Sequence, residues 1–424
     1  MNPQTIVKLI EWIDTELRGL SNWATRFLID MIKIPTVSPE GKYYEEFVDM
    51  VINRLEDFDL SIGIIYVPQE LVDKECPPEA KGNPRRIVLS RIGRRGPIIH
   101  FNAHYDVVPG GPGWKVTEPF NPVVKDGKIY GRGASDMKGG LLSMLLSQII
   151  VSRYSKELPF RLEVALVPDE EIGGRTGTGY LVEKISSPDF VVIGEPSSLK
   201  SIWIGHKGAV WAKVKVYGKI AHGSTPWLGV NAFEHMVKVA MATMEELKPK
   251  IESRKSTYMY DVERGERATI MIGGRAEAGE KVNQVPGTAY FTIDRRVIPE
   301  EELDFAVNEI ISFYQELAKR FNVRIDVEII NKIPSAITEP ESSLVKGIQE
   351  AATYVQGFKP KLTVCTGGLD LHYYTNKFKV PTVAYGPGIP GVAHAPDEYV
   401  VIDDLFTATK IYALLGFILS RHVS

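Results

Sequence analysis

Cysteine is nearly missing from this 424-residue chain, which holds only Cys76 and Cys365. Two thiols cannot make the disulfide framework of a small secreted domain. The net charge is -3 and no basic run stands out, which leaves out the positive face that nucleic-acid binding requires. The longest apolar stretch, around "LLSMLLSQII", is too short to span a bilayer. Internal repeats and low-complexity tracts are lacking too. The N-terminal "MNPQTIVKLIEWIDTEL" has no basic n-region, and Ile6, Leu9, Ile10, Ile13 and Leu17 follow helical rather than signal-peptide logic. The expectation is a soluble, cytoplasmic protein without nucleic-acid or membrane partners.

What is present is apolar material in quantity. At 44% hydrophobic residues the chain can bury one large core or two smaller ones. Its first half alternates strand-like and helix-like segments: "GPIIHFNAH", then "MKGGLLSMLLSQIIVSRY", "FRLEVALVP", "TGYLVEKI" and "DFVVIGEP". That alternation predicts an α/β core with a mixed, mostly parallel sheet and helices on both faces. After Glu195 the texture changes. "WIGHKGAVWAKVKVYG" reads as one half-exposed strand, and the segments after it give a β-α-β-β-α-β order, the pattern of a ferredoxin-like α+β domain. The tail, with "PTVAYGPG" and a final helix, returns to α/β texture. The expected organisation is therefore a larger domain of residues 1–200 and 332–424, interrupted by a smaller domain of residues 201–331.

Polar residues converge where such a sheet binds ligands, beyond the carboxyl ends of its strands. His104 and Asp106 follow the first strand of the alternation, Glu170 and Glu171 follow "VALVP", and Glu195 follows "VVIG". Asp136 sits where "GRGASDMKGG" turns into a helix, and His394 follows the last strand. Taken singly, each has an ordinary explanation: a helix cap for Asp136, a solvated acidic loop for Glu170 and Glu171, a surface imidazole for His104. Five carboxylates crowded at one edge would repel each other, and divalent cations remove that cost. His104, Asp136, Glu171, Glu195 and His394 form a ligand set suited to zinc. Three carboxylates against two divalent ions leave one positive charge, the amount a hydroxide neutralises. Asp106 is placed to orient the imidazole of His104. Glu170 is then free to serve as a base toward water.

"HYDVVPGGPGW", "YGRGASDMKGG", "PDEEIGG" and "GEPS" occur in the order and spacing of a known family. The chain resembles the co-catalytic zinc hydrolases that include acetylornithine deacetylase, succinyl-diaminopimelate desuccinylase, carboxypeptidase G and aminoacylase. The resemblance runs from about Phe27 to the C-terminus. It implies two divalent ions per subunit, zinc first, with cobalt or manganese as alternatives. By resemblance, Asp136 bridges them, His104 and Glu195 complete one site, and Glu171 and His394 complete the other. Glu170 matches the general base, and Asp136-Met137 matches a position where a cis peptide is common. The smaller domain matches a lid through which relatives form homodimers. Its His222 matches the residue that stabilises the tetrahedral intermediate, and Asn283 and Arg296 match substrate-binding positions. "TGGLDLHYY" matches a substrate-carboxylate pocket with Gly367, Gly368 and Asp370. Many relatives carry arginine shortly after that aspartate, whereas His372 stands here. His100, His206, His235 and His422 are read as structural.

The implied activity is hydrolysis of an amide bond in an N-acyl amino acid or small peptide, as by a desuccinylase or deacetylase. A dipeptidase or carboxypeptidase of the same family and a non-catalytic binding relative are the alternatives. A nucleotide-dependent enzyme fits poorly, because "GGRTGTG" departs from G-x-G-x-x-G and acidic residues stand at its mouth.

Overall fold

The computed structural model describes residues 3–155 and 157–421, so His422 lies outside the described residues. The chain divides into two compact units. The first comprises residues 1–204, 338–363 and 369–424, and the second residues 205–337 and 364–368. The second unit thus runs beyond Asn331, where the sequence pattern places its end. It also takes in Gly367 and Gly368, which the pattern leaves with the larger domain. The main chain supplies the reason: Lys207 N–H donates to the Cys365 carbonyl at 3.0 Å, and Val364 N–H donates to the Met259 carbonyl at 2.9 Å.

In the first unit the sheet is mixed and its middle is parallel. Arg161–Val167, Ile98–His104, Phe190–Ile193 and Thr382–Ala384 lie side by side in that order, all parallel. Arg86–Ile92 joins antiparallel on one side, followed by Ser61–Tyr66, and Ser201–His206 joins antiparallel on the other. Every residue of Ile98–His104 is buried, the signature of a strand covered on both faces. Helices supply the cover. Gly139–Ser152 is buried from Gly139 to Val151, and Ile402–Leu419 is buried over most of its length, as expected for helices apolar all round. Pro3–Lys33 buries one stripe, from Ile6 through Leu9, Ile13 and Leu17 to Ile32. Gly140 allows a close approach: a Cβ there would lie 2.0 Å from the Gly194 carbonyl oxygen. That contact draws the start of the helix, which follows Asp136, against the strand end that carries Glu195.

The second unit is built on a four-stranded sheet in the order Thr269–Ala278, Thr288–Val297, Gly208–Tyr217, Ile325–Ile333, with every neighbouring pair antiparallel. Helices Ala232–Ala242 and Leu303–Arg320 pack their apolar stripes on it, with Val239, Ile310 and Tyr314 in a common core. This is the ferredoxin-like order. "WIGHKGAVWAKVKVYG" is two strands, Ser201–His206 and Gly208–Tyr217, rather than one. Only the second alternates buried and half-buried residues, because only it has a half-exposed face. "TGYLVEKI" yields only a short helix, Thr178–Leu181.

Candidate metal centre

The carboxyl ends of the parallel strands hold the candidate residues of the first unit. His104 ends its strand and is 2% exposed; Asp106 and Glu195 are 0% and 3% exposed. The His104 Nδ1 lies 2.9 Å from the main-chain carbonyl of Asp106, which fixes the proton on Nδ1 in the neutral ring. The Asp106 carboxylate is farther from Nδ1, at 3.5 Å. Its oxygens also accept the main-chain N–H groups of Glu170 and Glu171, each at 3.1 Å. The aspartate read as an orienter of His104 thus also clamps the acidic turn.

With Nδ1 donating, Nε2 of His104 presents a lone pair, yet it faces Asp136 Oδ1 at 3.1 Å. Two acceptors in contact require a proton or a cation between them. His394 also faces carboxylates, with its Nε2 3.3 Å from Asp136 Oδ2 and 3.0 Å from Glu171 Oε1. Asp136 therefore stands between two imidazoles, one on each carboxylate oxygen. Glu195 Oε1 lies 3.8 Å from His104 Nε2 and is buried without a hydrogen-bond partner. An orphaned buried carboxylate oxygen is expensive unless something charged completes it. Ligand atoms of His104, Asp136 and Glu171, and likewise of His104, Glu170 and Glu195, fall within 4.8 Å of one another. The donor set of imidazole nitrogens and carboxylate oxygens is one that holds zinc and similar divalent ions. The Asp136-Met137 peptide is cis.

The electrostatics have the same cause. Burial pushes Glu170 and Glu195 well above the ordinary carboxylate range, with neighbouring carboxylates adding to it. Burial also raises Glu171. Asp136 goes the other way: burial would raise it, but His104 and His394 hold it low. For His394, hydrogen bonds to Asp136 and Glu171 push the imidazole up to about 10.

Residues of the second unit are placed as follows. His222 is exposed, and its Nδ1 accepts the Ser224 N–H at 3.1 Å, so its proton sits on Nε2. Gly223 N–H donates to the Asn283 carbonyl at 2.8 Å, which puts His222 and Asn283 side by side. Arg296 is ion-paired to Asp294 at 2.8 Å. Gly368 packs beside Ile333. In the first unit, Asp370 is buried and pushed up to about 6 by that burial. His372 is turned inward: its Nδ1 lies 2.9 Å from the Leu369 carbonyl, and burial pushes the ring down to about 4. It is a neutral packing residue, not a cationic replacement for arginine. Of the histidines read as structural, His100 bonds Glu163 and Tyr374, and His206 bonds the Lys207 carbonyl. His235 sits on the helix Ala232–Ala242.

Sequence reasoning passed over the residues that hold the acidic turn. Asp169, at φ +63°, begins it, and its buried carboxylate takes Arg85 Nε at 2.8 Å and the Tyr44 hydroxyl at 3.1 Å. Only the unusual triple acid "DEE" hinted that one of the three has a different role.

Comparison with known proteins bears on this geometry. The model of the peptidase family M20/M25/M40 matches residues 100–416. The chain belongs to that family. An uncharacterized metallohydrolase of Methanocaldococcus jannaschii is 28% identical over 412 residues, covering 90% of this chain and 96% of the relative. A succinyl-diaminopimelate desuccinylase of Methylobacterium radiotolerans is 28% identical over 401 residues, covering 92% and 95%. Among solved structures, the di-peptidase Dug1p of Saccharomyces cerevisiae superimposes with a TM-score of 0.76 at 17% identity over 99% of both chains, a likeness of fold. This M20 chain is a metal-dependent hydrolase. Among its described residues no helix is long and apolar enough to cross a membrane.

Proposed function

We propose that this M20 enzyme hydrolyses the amide bond of an N-acyl amino acid or small peptide with a pair of divalent cations. The observation that carries the reading is Asp136, whose two oxygens each face an imidazole nitrogen, that of His104 at 3.1 Å and that of His394 at 3.3 Å. Asp136 would be shared between the ions, with His104 and Glu195 holding one, and Glu171 and His394 the other. Bound there, the cations would acidify a water molecule and polarise the substrate carbonyl.

The chain's own residues do the rest. Glu170, half-buried near Glu195 and held through its main chain by Asp106, takes the proton of the attacking water and returns it to the leaving amine. His222 offers an Nε2–H donor to the developing oxyanion, a role its Ser224 contact prepares. Asn283, beside His222, and Arg296, together with Gly367 and Gly368, would contact the non-reacting part of the substrate.

The reading extends to assembly. Phe233, Val237, Met241 and Met244 are 46%, 39%, 47% and 47% exposed and recur three or four residues apart on one helical face. Such a stripe supports a homodimer formed through the second unit. The chain has only two cysteines, Cys76 and Cys365, too few for a disulfide framework, which supports a cytoplasmic location.

The test is a panel of N-acetyl and N-succinyl amino acids and dipeptides, assayed with zinc-, cobalt- and manganese-loaded protein. Turnover abolished by a chelator and restored by one of these ions is the expected result. Two ions bound per chain with no turnover across the panel would leave a binding protein instead. One ion per chain with full activity would remove the shared role of Asp136.

A further inference from the structure

Arg132 and Glu398 form an ion pair at 2.6 Å, 2% and 0% exposed. A buried pair repays its desolvation poorly, so its worth must be sought in what it holds. Glu398 Oε1 accepts the main-chain N–H groups of Ser135 at 2.8 Å and Asp136 at 3.0 Å. Arg132 donates to the carbonyls of His394 and Ala395, each at 3.3 Å, and to the Gly110 carbonyl at 3.1 Å. One end of the pair therefore grips the backbone under Asp136, and the other grips the backbone under His394.

The loop that carries His394 needs such a grip. The His394 side chain is 52% exposed, so packing does not set its position. Its backbone lies in the left-handed region at φ +63°, as does Asp397 at φ +56°. A non-glycine residue keeps that conformation where its surroundings enforce it. Asp397 is itself pinned, because its Oδ1 accepts the N–H groups of Lys115 at 2.9 Å and Val116 at 2.8 Å. The separation of His394 Nε2 from Asp136 Oδ2 is thus set by two loops that meet across one ion pair.

We propose that Arg132 and Glu398 are positioning residues that set the spacing of Asp136 and His394 and thereby create the second metal subsite. The inference rests on the two-ion reading above and adds to it a selective effect. Disturbing the pair weakens most the ion that needs His394, whose loop Arg132 holds, and weakens less the ion of His104 and Glu195, which meets the pair only through Asp136.

The experiment titrates apo full-length protein with cobalt(II) alone, followed by absorption spectroscopy and elemental analysis. Wild type is compared with Arg132→Lys and with the double variant Arg132→Gln/Glu398→Gln, which removes both charges and buries neither alone. In wild type, two cobalt ions bind. In the double variant one ion loses little affinity, the other weakens by about 10- to 100-fold, the usual effect of removing a partner of a metal ligand, and the apo circular dichroism is unchanged. Arg132→Lys keeps the charge against Glu398 and recovers part of the affinity. Two ions in wild type and unchanged affinities in the variants would overturn the pairing role alone, as would equal weakening of both ions. Fewer than two ions in wild type would overturn the two-ion reading and this inference together. If the double variant does not fold, Arg132→Lys decides: a second-ion affinity equal to wild type rejects the proposal, and a selective loss supports it.

Discussion

Replacing Glu170 with glutamine separates a proton carrier from a metal ligand. The substitution keeps the shape of the side chain and leaves its main-chain N–H on Asp106 Oδ1, at 3.1 Å, undisturbed. It removes one negative charge from a buried cluster in which Glu195, Asp370 and Glu171 all push Glu170 toward protonation. Folding should therefore not suffer, and the apo thermal midpoint should equal or exceed that of wild type. Catalysis should suffer, because glutamine cannot take a proton from water. Loss of a general base costs about 100-fold or more in turnover, equivalent to about 2.7 kcal/mol of transition-state stabilisation. The assay is kcat and KM on a substrate from the panel, with metal content measured on the same preparation. Retained metal and KM with a collapsed kcat is the expected outcome. Ligand atoms of Glu170 also group with those of His104 and Glu195, so the structure offers Glu170 a second role as a ligand. A loss of metal that accounts for the loss of rate would establish that role and refute the assignment as base. Turnover within tenfold of wild type would refute both.

Three further outcomes follow from the same contacts. Arg85→Met strands the buried Asp169 carboxylate and empties the carbonyls of Pro39 and Asn83; apo protein in urea should lose about 3–5 kcal/mol, most of it recovered by adding Asp169→Asn, and a loss under 1 kcal/mol would contradict the network. His372 is pushed down from 6.5 to about 4 by burial, so the unfolded chain binds its proton first as pH falls; stability should decline between about pH 6.5 and 4, and His372→Gln should flatten that decline, which identical pH profiles would disprove. For the dimer, inactive His222→Ala and Glu170→Ala proteins are mixed under subunit exchange; if His222 serves the partner's site, about a quarter of all sites regain activity, and no recovery after verified exchange excludes action across the interface.

The alternation of apolar strands and helices made the α/β core legible, because a strand buried on both faces must be apolar along its whole length, as Ile98–His104 is. The ferredoxin-like unit was legible for a different reason: its strands keep one face half exposed and so alternate, as Gly208–Tyr217 does. What the pattern did not reveal were boundaries set by single main-chain hydrogen bonds, such as Lys207 to Cys365, which bring residues 364–368 into the second unit. Such bonds leave no mark on side-chain composition.

The centre divides along the same line. Residues at or just beyond the ends of the parallel strands, His104 and Glu195 among them, declare themselves because strand ends and polar side chains fall together in the sequence. Residues that hold them do not. Asp169 finds its counter-charge in Arg85, 84 positions away, and Asp136 finds the carboxylate under its main chain in Glu398, 262 positions away. A buried charge looks in sequence like any surface charge, since only the fold decides what surrounds it. His372 makes the same argument in reverse. It stands where many relatives carry arginine, and the fold turns it inward against the Leu369 carbonyl. Reading a site from sequence therefore finds the groups that would face a ligand sooner than the groups that hold them at working distance. Arg132 and Glu398 belong to that second kind.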